Sequence, residues 1–322
     1  MHKVISIITP CFNEEQSVRE CYEVVRDVFA TQLPGYRREH IFCDNASTDQ
    51  TVEILKEIAA DDDEVKIIIN SRNFGILRNT YNGVLNASGD AIFLFMPVDL
   101  QDPPSLIPEF VGLWEQGYEI VYGIRAKRQE PFLLRNIRKA YYRILSLFSY
   151  VDYPPDVGDF QLIDRKVLNA IKQYSEFQPF LRMLTFDCGF RAVGVPYTWQ
   201  ARKHGVSRNR FVDMFDQGLI GLVSFSNLPL RFALYAGISI SLLSLLYAMF
   251  VVILRLTLGE YAPRGTFTIL AAIFFFGGVQ LMFLGVIGEY ILMIATQVRR
   301  RPMVIERERI NFDEYDESKP KN

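Results

Sequence analysis

Apolar residues in the first hundred positions alternate between short runs of strand length and stretches at helical spacing. Residues 4–9 form a largely β-branched run that stops at Pro10. This reads as a buried strand, since β-branched side chains suit a packed pleated surface and proline cannot extend the ladder. Asn13 and Gln16, three residues apart, mark a helix start. A second strand over 41–43 runs into Asp44, and Ser47 with Gln50 has capping-box spacing ahead of Val52, Leu55 and Ile58 at helical period. A third strand over 65–69, a helix over 76–86 and a fourth strand over 91–95 follow. Strands alternating with helices of about 10–15 residues predict right-handed βαβ units, an α/β fold and a mainly parallel sheet.

Open sheets of this kind bind ligands at the carboxyl ends of their strands. The stretch 93–104 is therefore the chemical centre of the sequence. An apolar run empties into Asp99, Gln101 and Asp102, followed by Pro103 and Pro104, so a buried strand ends by offering oxygen ligands. Asp44 and Asp99 fall on the same sheet edge. Mg²⁺ takes one or two protein carboxylates and completes its shell with phosphate oxygens and water, so one well-placed aspartate suffices. Neither the P-loop pattern nor Gly-x-Gly-x-x-Gly follows the first strand, which excludes a P-loop enzyme and a dinucleotide oxidoreductase.

The later part of the chain is patterned differently. Residues 232–254 and 265–288 contain no Asp, Glu, Lys or Arg, and each makes a helix of roughly 35 Å, enough to cross a hydrocarbon core. Arg202, Lys203, Arg208, Arg210 and Arg231 precede the first segment and Arg299, Arg300 and Arg301 follow the second. The positive-inside rule then places both termini and the first domain in the cytoplasm. No cleavable signal peptide is visible. Residues 131–150 place Leu134, Ile137, Tyr141, Ile144 and Phe148 on one helical face with Arg135, Arg138, Lys139 and Arg143 interspersed, the pattern of a helix lying in a lipid headgroup region. Residues 208–227 offer a second amphipathic helix leading into the membrane. A net charge of −2 over 322 residues argues against a nucleic-acid-binding surface. Cys11, Cys21, Cys43 and Cys188 lack CxxC spacing and read as reduced structural thiols. Glu289 lies near the cytoplasmic end of the second segment, where a structural role is expected. Gly277, Gly278, Gly285 and Gly288 allow close helix approach, compatible with a homo-oligomer. The mixed-charge stretch beyond Pro302 is expected to be partly disordered.

Five motifs in order carry a resemblance: residues 8–15 (ITPCFNEE), 44–51 (DNASTDQT), 72–75 (RNFG), 99–104 (DLQDPP) and 158–165 (GDFQLIDR). Together with 224–231 and Gly288-Glu289-Tyr290, they resemble family 2 glycosyltransferases, and more narrowly polyprenyl-phosphate glycosyltransferases of the GtrB and dolichol-phosphate mannose synthase type. The resemblance implies a GT-A, Rossmann-like cytosolic domain over 1–207. An amphipathic juxtamembrane helix over 208–229, a transmembrane hairpin of two helices over 230–296 and a cytoplasmic tail over 297–322 would follow it, in an integral protein of a bacterial inner membrane.

Residue by residue, the resemblance implies that Pro10, Asn13, Glu14 and Asp44 line the donor nucleoside pocket and that Asp99 and Gln101 hold Mg²⁺ or Mn²⁺. Pro97 stands where the family pattern has the first metal-binding aspartate, and it cannot ligate a metal. Arg202, in residues 202–207, matches an arginine that grips the donor diphosphate, a task suited to the bidentate guanidinium fork. Arg125, Arg135 and Arg138 are expected to bind the acceptor phosphate. Asp159 matches the catalytic carboxylate, which could orient acceptor or sugar or act as base. The implied reaction is inverting transfer of a hexose from a nucleotide sugar to polyprenyl phosphate. UDP-glucose is the donor expected from likeness to GtrB-type enzymes, with GDP-mannose or another UDP-sugar as alternatives. A non-catalytic membrane protein keeping the fold is the remaining alternative. A processive polysaccharide synthase is disfavoured, because Gln178 and Arg182 lack the accompanying tryptophan and only two spans are expected.

Overall fold

The structure is a computed structural model that describes residues 2–127, 154, 157–174, 177, 179–199, 228–258, 265–299 and 301–312. The chain divides into two compact units, one of residues 1–146, 151–210 and 301–322, the other of residues 147–150 and 211–300.

The first unit is built on an eight-stranded sheet. Its strands are β1 (Lys3–Cys11), β2 (Tyr36–Asp44), β3 (Val65–Asn70), β4 (Ala91–Phe93), β5 (Ile120–Lys127), β6 (Val157–Asp164), β7 (Ala192–Thr198) and β8 (Glu306–Ile310), in the order β7-β5-β6-β4-β1-β2-β3-β8. The pairs β1–β2, β1–β4, β2–β3 and β5–β7 are parallel, whereas β4–β6, β5–β6 and β3–β8 are antiparallel. This is the mixed, mainly parallel Rossmann-like arrangement of a GT-A fold. Because β6 runs against β4 and β5, its amino end lies at the same sheet edge as the carboxyl ends of β1, β2, β4, β5 and β7. That edge collects Cys11, Asp44, Arg125, Val157 and Thr198.

Helices α1 (Val18–Gln32), α2 (Thr51–Asp61), α3 (Ile76–Asn86) and α4 (Ile107–Glu115) are followed by α5 (Arg165–Ile171) and α6 (Leu181–Asp187). Ile5, Ile7, Phe42, Ile67, Ile69, Phe93 and Phe160 form one core with Val18, Val25, Leu55, Phe110 and Trp114 from α1, α2 and α4. On the opposite face α3 approaches the sheet closely. A Cβ at Gly83 would sit 2.7 Å from Ile8 Cγ2 and against Cys43 Sγ. Gly83→Ala is therefore expected to destabilise the protein by about 1–3 kcal/mol through overpacking, seen as a lowered Tm; an unchanged Tm would show that the helix can shift.

Several local expectations are corrected. The second strand extends back to Tyr36, because Arg38, Glu39 and His40 are buried with polar partners: Glu39 Oε1 accepts from Lys66 Nζ at 2.8 Å, and His40 Nε2 lies 2.9 Å from Thr9 Oγ1. The fourth strand stops at Phe93 instead of Phe95. Asn13 does not open α1, whose N-cap is Ser17. Ser47 does not cap α2, whose N-cap is Gln50 without a side-chain cap bond. Within the stretch after Pro302, Glu306–Ile310 form β8, held by Lys56 Nζ on Glu308 at 2.8 Å and by Asn311 Nδ2 on the carbonyls of Ala59 and Val65 at 2.7 and 2.9 Å. The sheet thus takes its edge strand from beyond the helical segments.

The second unit contains α7 (Leu228–Leu258) and α8 (Thr266–Val298), which match the two charge-free segments. Large apolar side chains are exposed along both, including Phe232, Leu243, Phe250, Ile273, Leu281 and Ile291. Among the described residues, one helical segment, Phe275–Val298, is long and apolar enough to cross a membrane.

Candidate active site

The loops after β1 and β2 lock together. Asn13 takes φ +55°, and its backbone N–H donates to Ser47 Oγ at 2.9 Å while its Oδ1 accepts from Thr48 N at 2.7 Å. Glu14 N–H donates to Thr51 Oγ1 at 2.8 Å, and the Glu14 carbonyl accepts from Ser17 and Val18 at the head of α1. Pro10 is buried in register with Cys43. Asp44 closes β2, fully buried. Its Oδ2 accepts from Ser47 N at 3.0 Å, whereas among the described residues Oδ1 has no hydrogen-bond partner. Burial pushes the Asp44 carboxyl above the usual carboxylate range, opposed by its bonds from Ser47 and Ala46. An orphaned buried carboxylate oxygen is costly in a resting fold and marks a place where a ligand donor would be well received. Pro10, Asn13, Glu14 and Asp44 therefore belong to one cluster.

Asparagines fix the neighbouring loop over residues 72–75. Asn45 Nδ2 donates to Asn73 Oδ1 at 2.9 Å, and Asn45 Oδ1 accepts from Phe74 N at 2.9 Å. Gly75 then adopts φ +87° at the entry to α3, a conformation glycine takes without steric strain.

The segment after β4 is tied down on both sides: Leu94 N–H donates to the Gln161 carbonyl at 2.9 Å and Met96 N–H to that of Ile8 at 2.8 Å. Pro97 is buried, and its carbonyl accepts from Leu100 N at 3.0 Å, closing a turn in which Leu100 has φ +56°. Asp99 is half-buried at that turn, with Oδ1 accepting from Gln101 N at 3.3 Å. Asp99 and Gln101 bring one carboxylate and one amide oxygen to the loop. This hard-oxygen set fits Mg²⁺ or Mn²⁺ whose remaining positions come from phosphate and water. Among the described residues there is no cluster of three or more His, Cys, Asp or Glu able to hold a metal by itself.

Asp102 is fully buried and has a defined task. Arg125 Nη2 lies 3.2 and 3.1 Å from its two oxygens, Tyr197 donates its hydroxyl to Oδ1, and Arg125 Nε donates to Tyr197 Oη at 3.0 Å. This triad pins the 97–102 loop to the ends of β5 and β7. Arg125, expected at the acceptor phosphate, is thus engaged with Asp102 and Tyr197, and its guanidinium lies 5.3 Å from the Trp199 ring. Asp159, at the start of β6, receives a two-pronged contact from Arg182 of α6: Nε donates to Oδ1 at 3.0 Å and Nη2 to Oδ2. Gln161 anchors that helix, donating to the Arg182 carbonyl at 3.2 Å and accepting from Thr185 Oγ1 at 2.8 Å. Arg182 and Tyr197 were not legible as site residues, since neither stands in a spacing that points to these partners. Arg135, Arg138, Arg202 and both expected amphipathic helices lie outside the described residues.

The carboxyl edge of this sheet thus brings together Asp44 after β2, the 97–102 loop after β4 and Asp159 at the start of β6. Residues 6–172 match the model of "Glycosyl transferase family 2" and residues 228–294 that of the "GtrB C-terminal hairpin". The chain belongs to glycosyltransferase family 2 and is a glycosyltransferase. It is 37% identical over 305 residues to the uncharacterized glycosyltransferase YkcC of Bacillus subtilis (strain 168), covering 94% of this chain and 93% of that protein. It is 34% identical over 302 residues to the SfII prophage-derived bactoprenol glucosyl transferase of Shigella flexneri, covering 94% and 96%. Against the prophage bactoprenol glucosyl transferase homolog of Escherichia coli (strain K12) the identity is 31% over 302 residues, covering 94% and 97%.

Proposed function

We propose that this protein transfers a hexose, with UDP-glucose as the donor, to the phosphate of a polyprenyl phosphate at the cytoplasmic face of a bacterial inner membrane. The observation that carries the reading is the match of residues 6–172 to glycosyltransferase family 2 and of residues 228–294 to the GtrB hairpin, in a chain similar to a bactoprenol glucosyl transferase over 94% of its length. Both α7 and α8 act as membrane spans. The sheet draws strands from before and after them, which suits an even number of crossings with both termini on one side.

Asp44, with Asn13, Glu14 and Pro10 around it, receives the nucleoside, its unpartnered Oδ1 accepting a base or ribose donor. Asp99 and Gln101 hold Mg²⁺ or Mn²⁺, which when bound neutralises charge on the leaving diphosphate. Arg202 grips that diphosphate through its guanidinium fork. An oxygen of the acceptor phosphate forms a bond to the anomeric carbon as the bond to the diphosphate oxygen breaks, and the electron pair leaves with the nucleoside diphosphate. The configuration inverts in a single displacement. A phosphate monoester with a second pKa of about 6 is largely dianionic at neutral pH, so no strong base is required. Asp159, both oxygens engaged by Arg182, orients the sugar or the acceptor. Arg125 acts as a positioning residue for the metal loop.

Arg135 and Arg138 bind the acceptor phosphate from the headgroup region. Replacing both with alanine is expected to raise KM for the lipid acceptor roughly ten- to a hundredfold, the loss of charge-assisted hydrogen bonds, with little change in KM for the nucleotide sugar. Equal effects on both substrates would contradict the assignment. A screen of UDP- and GDP-sugars against the purified chain identifies the donor; turnover with GDP-mannose in preference to UDP-glucose would replace the donor assignment. A homo-oligomer is proposed because, among the described residues and beyond its own turn of helix, a Cβ at Gly277, Gly278, Gly285 or Gly288 would meet nothing within 4 Å, which leaves room for close helix approach; crosslinking in membranes tests it.

A further inference from the structure

Arg78 is placed against its own electrostatics. It lies in the first turn of α3, where the helix dipole disfavours a cation, and it is half-buried. Among the described residues it has no hydrogen bond or ion pair. Its guanidinium is instead 4.1 Å from the Phe177 ring, and a second guanidinium, that of Arg72, lies 3.9 Å from the Phe74 ring on the adjoining loop. Burial, and after it the charge of Arg72, holds Arg78 below the usual arginine range. A half-buried cation held beside a like charge is better satisfied when an anion completes it. Stacking on phenyl rings leaves the edge N–H donors of a guanidinium available, and these suit phosphate oxygens.

The position matches that need. Arg72 precedes Asn73 and Phe74, which bond to Asn45 beside Asp44. Phe177 lies on the segment leading to Phe180, whose ring is 5.6 Å from the Arg182 guanidinium that holds Asp159. Arg78 therefore stands at the head of α3, next to the loop that bonds to Asn45 and stacked on Phe177. The metal loop there offers one carboxylate, Asp99, because Pro97 supplies only its carbonyl, to the turn.

We propose that Arg78, with Arg72 beside it, forms a phosphate-binding site at the head of α3 that supplies positive charge to a phosphoryl group during transfer. The inference rests on the glycosyltransferase reading. The phosphate could come from the donor diphosphate or the lipid acceptor, and the test separates them.

The full chain in detergent with Mg²⁺ is titrated with UDP, GDP, their parent nucleosides and a short polyprenyl monophosphate, for the wild type, Arg78→Gln and Arg78→Lys. Arg78→Gln is expected to weaken at least one phosphate ligand about tenfold or more, the scale of a charge-assisted hydrogen bond, with nucleoside affinity and Tm unchanged. Arg78→Lys is expected to recover part of the loss. A loss confined to the diphosphates assigns the site to the donor, and a loss confined to the monophosphate assigns it to the acceptor. Unchanged phosphate binding, or an equal fall for the parent nucleosides, would overturn the site while leaving the transferase reading intact. A wild type that binds neither class of phosphate would overturn both.

Discussion

Asp99→Ala is expected to reduce kcat/KM for transfer about a thousandfold or more while leaving the protein folded in the membrane. The size follows from losing the one carboxylate that the 97–101 loop contributes to the metal, since stabilisation of a developing diphosphate is worth several kcal/mol and each 1.4 kcal/mol is tenfold in rate. The fold is expected to survive because the loop is held by backbone bonds, Met96 N to the Ile8 carbonyl and Leu100 N to the Pro97 carbonyl. Steady-state kinetics across a Mg²⁺ and Mn²⁺ series, with Tm measured in parallel, reads both parts. Normal activity at ordinary metal concentrations would remove Asp99 from the site.

Asp44→Asn separates binding from stability in the opposite sense. Burial raises the Asp44 pKa in the folded state above its unfolded value. The native state therefore holds the proton more tightly, and the stability this residue contributes is present at low pH. It is lost as pH rises from the unfolded value through the raised one. At neutral pH the ionised carboxylate is a net burden on the fold, and the neutral amide relieves it. The variant is expected to keep or raise Tm near neutrality and to flatten the fall in stability across the mildly acidic range. KM for the nucleotide sugar is expected to rise roughly ten- to a hundredfold as a buried acceptor is exchanged for a mismatched amide. A lowered Tm with unchanged KM would make Asp44 a structural residue.

The sheet edge was legible because its strands announce themselves by short apolar runs that lead into Pro10, Asp44 and the loop carrying Asp99. The long β2 was not, since Arg38, Glu39 and His40 look like solvent-facing residues until their partners Asp62, Ser6, Ser88 and Thr9 are brought in from distant positions. The helix-start spacings of Asn13 and Ser47 misled for a related reason. These side chains satisfy each other's loops across a separation of 34 residues instead of capping their own helices. β8 was hidden because an edge strand with one solvated face can be as charged as a disordered tail.

Within the site, the identities of Asp44, Asp99, Gln101 and Asp159 came from motifs, whereas their supports did not. The Asp102–Arg125–Tyr197 triad joins three strands or loops separated by 23 to 95 residues, and no local spacing encodes such a contact. Arg125 illustrates the limit. A basic residue next to a basic amphipathic stretch suggests a lipid phosphate, but its geometry assigns it to a buried aspartate. Pro97, read as a missing ligand, has a positive task as acceptor in the turn that carries Asp99.

The account is tested most directly by incubating the purified full chain with UDP-glucose, polyprenyl phosphate and Mg²⁺ or Mn²⁺, and measuring released nucleoside diphosphate together with extractable lipid-linked sugar. Equal amounts of both products, dependent on the lipid phosphate and the metal, are predicted. If no common UDP- or GDP-sugar releases nucleoside diphosphate under these conditions, the proposed transfer to polyprenyl phosphate is contradicted.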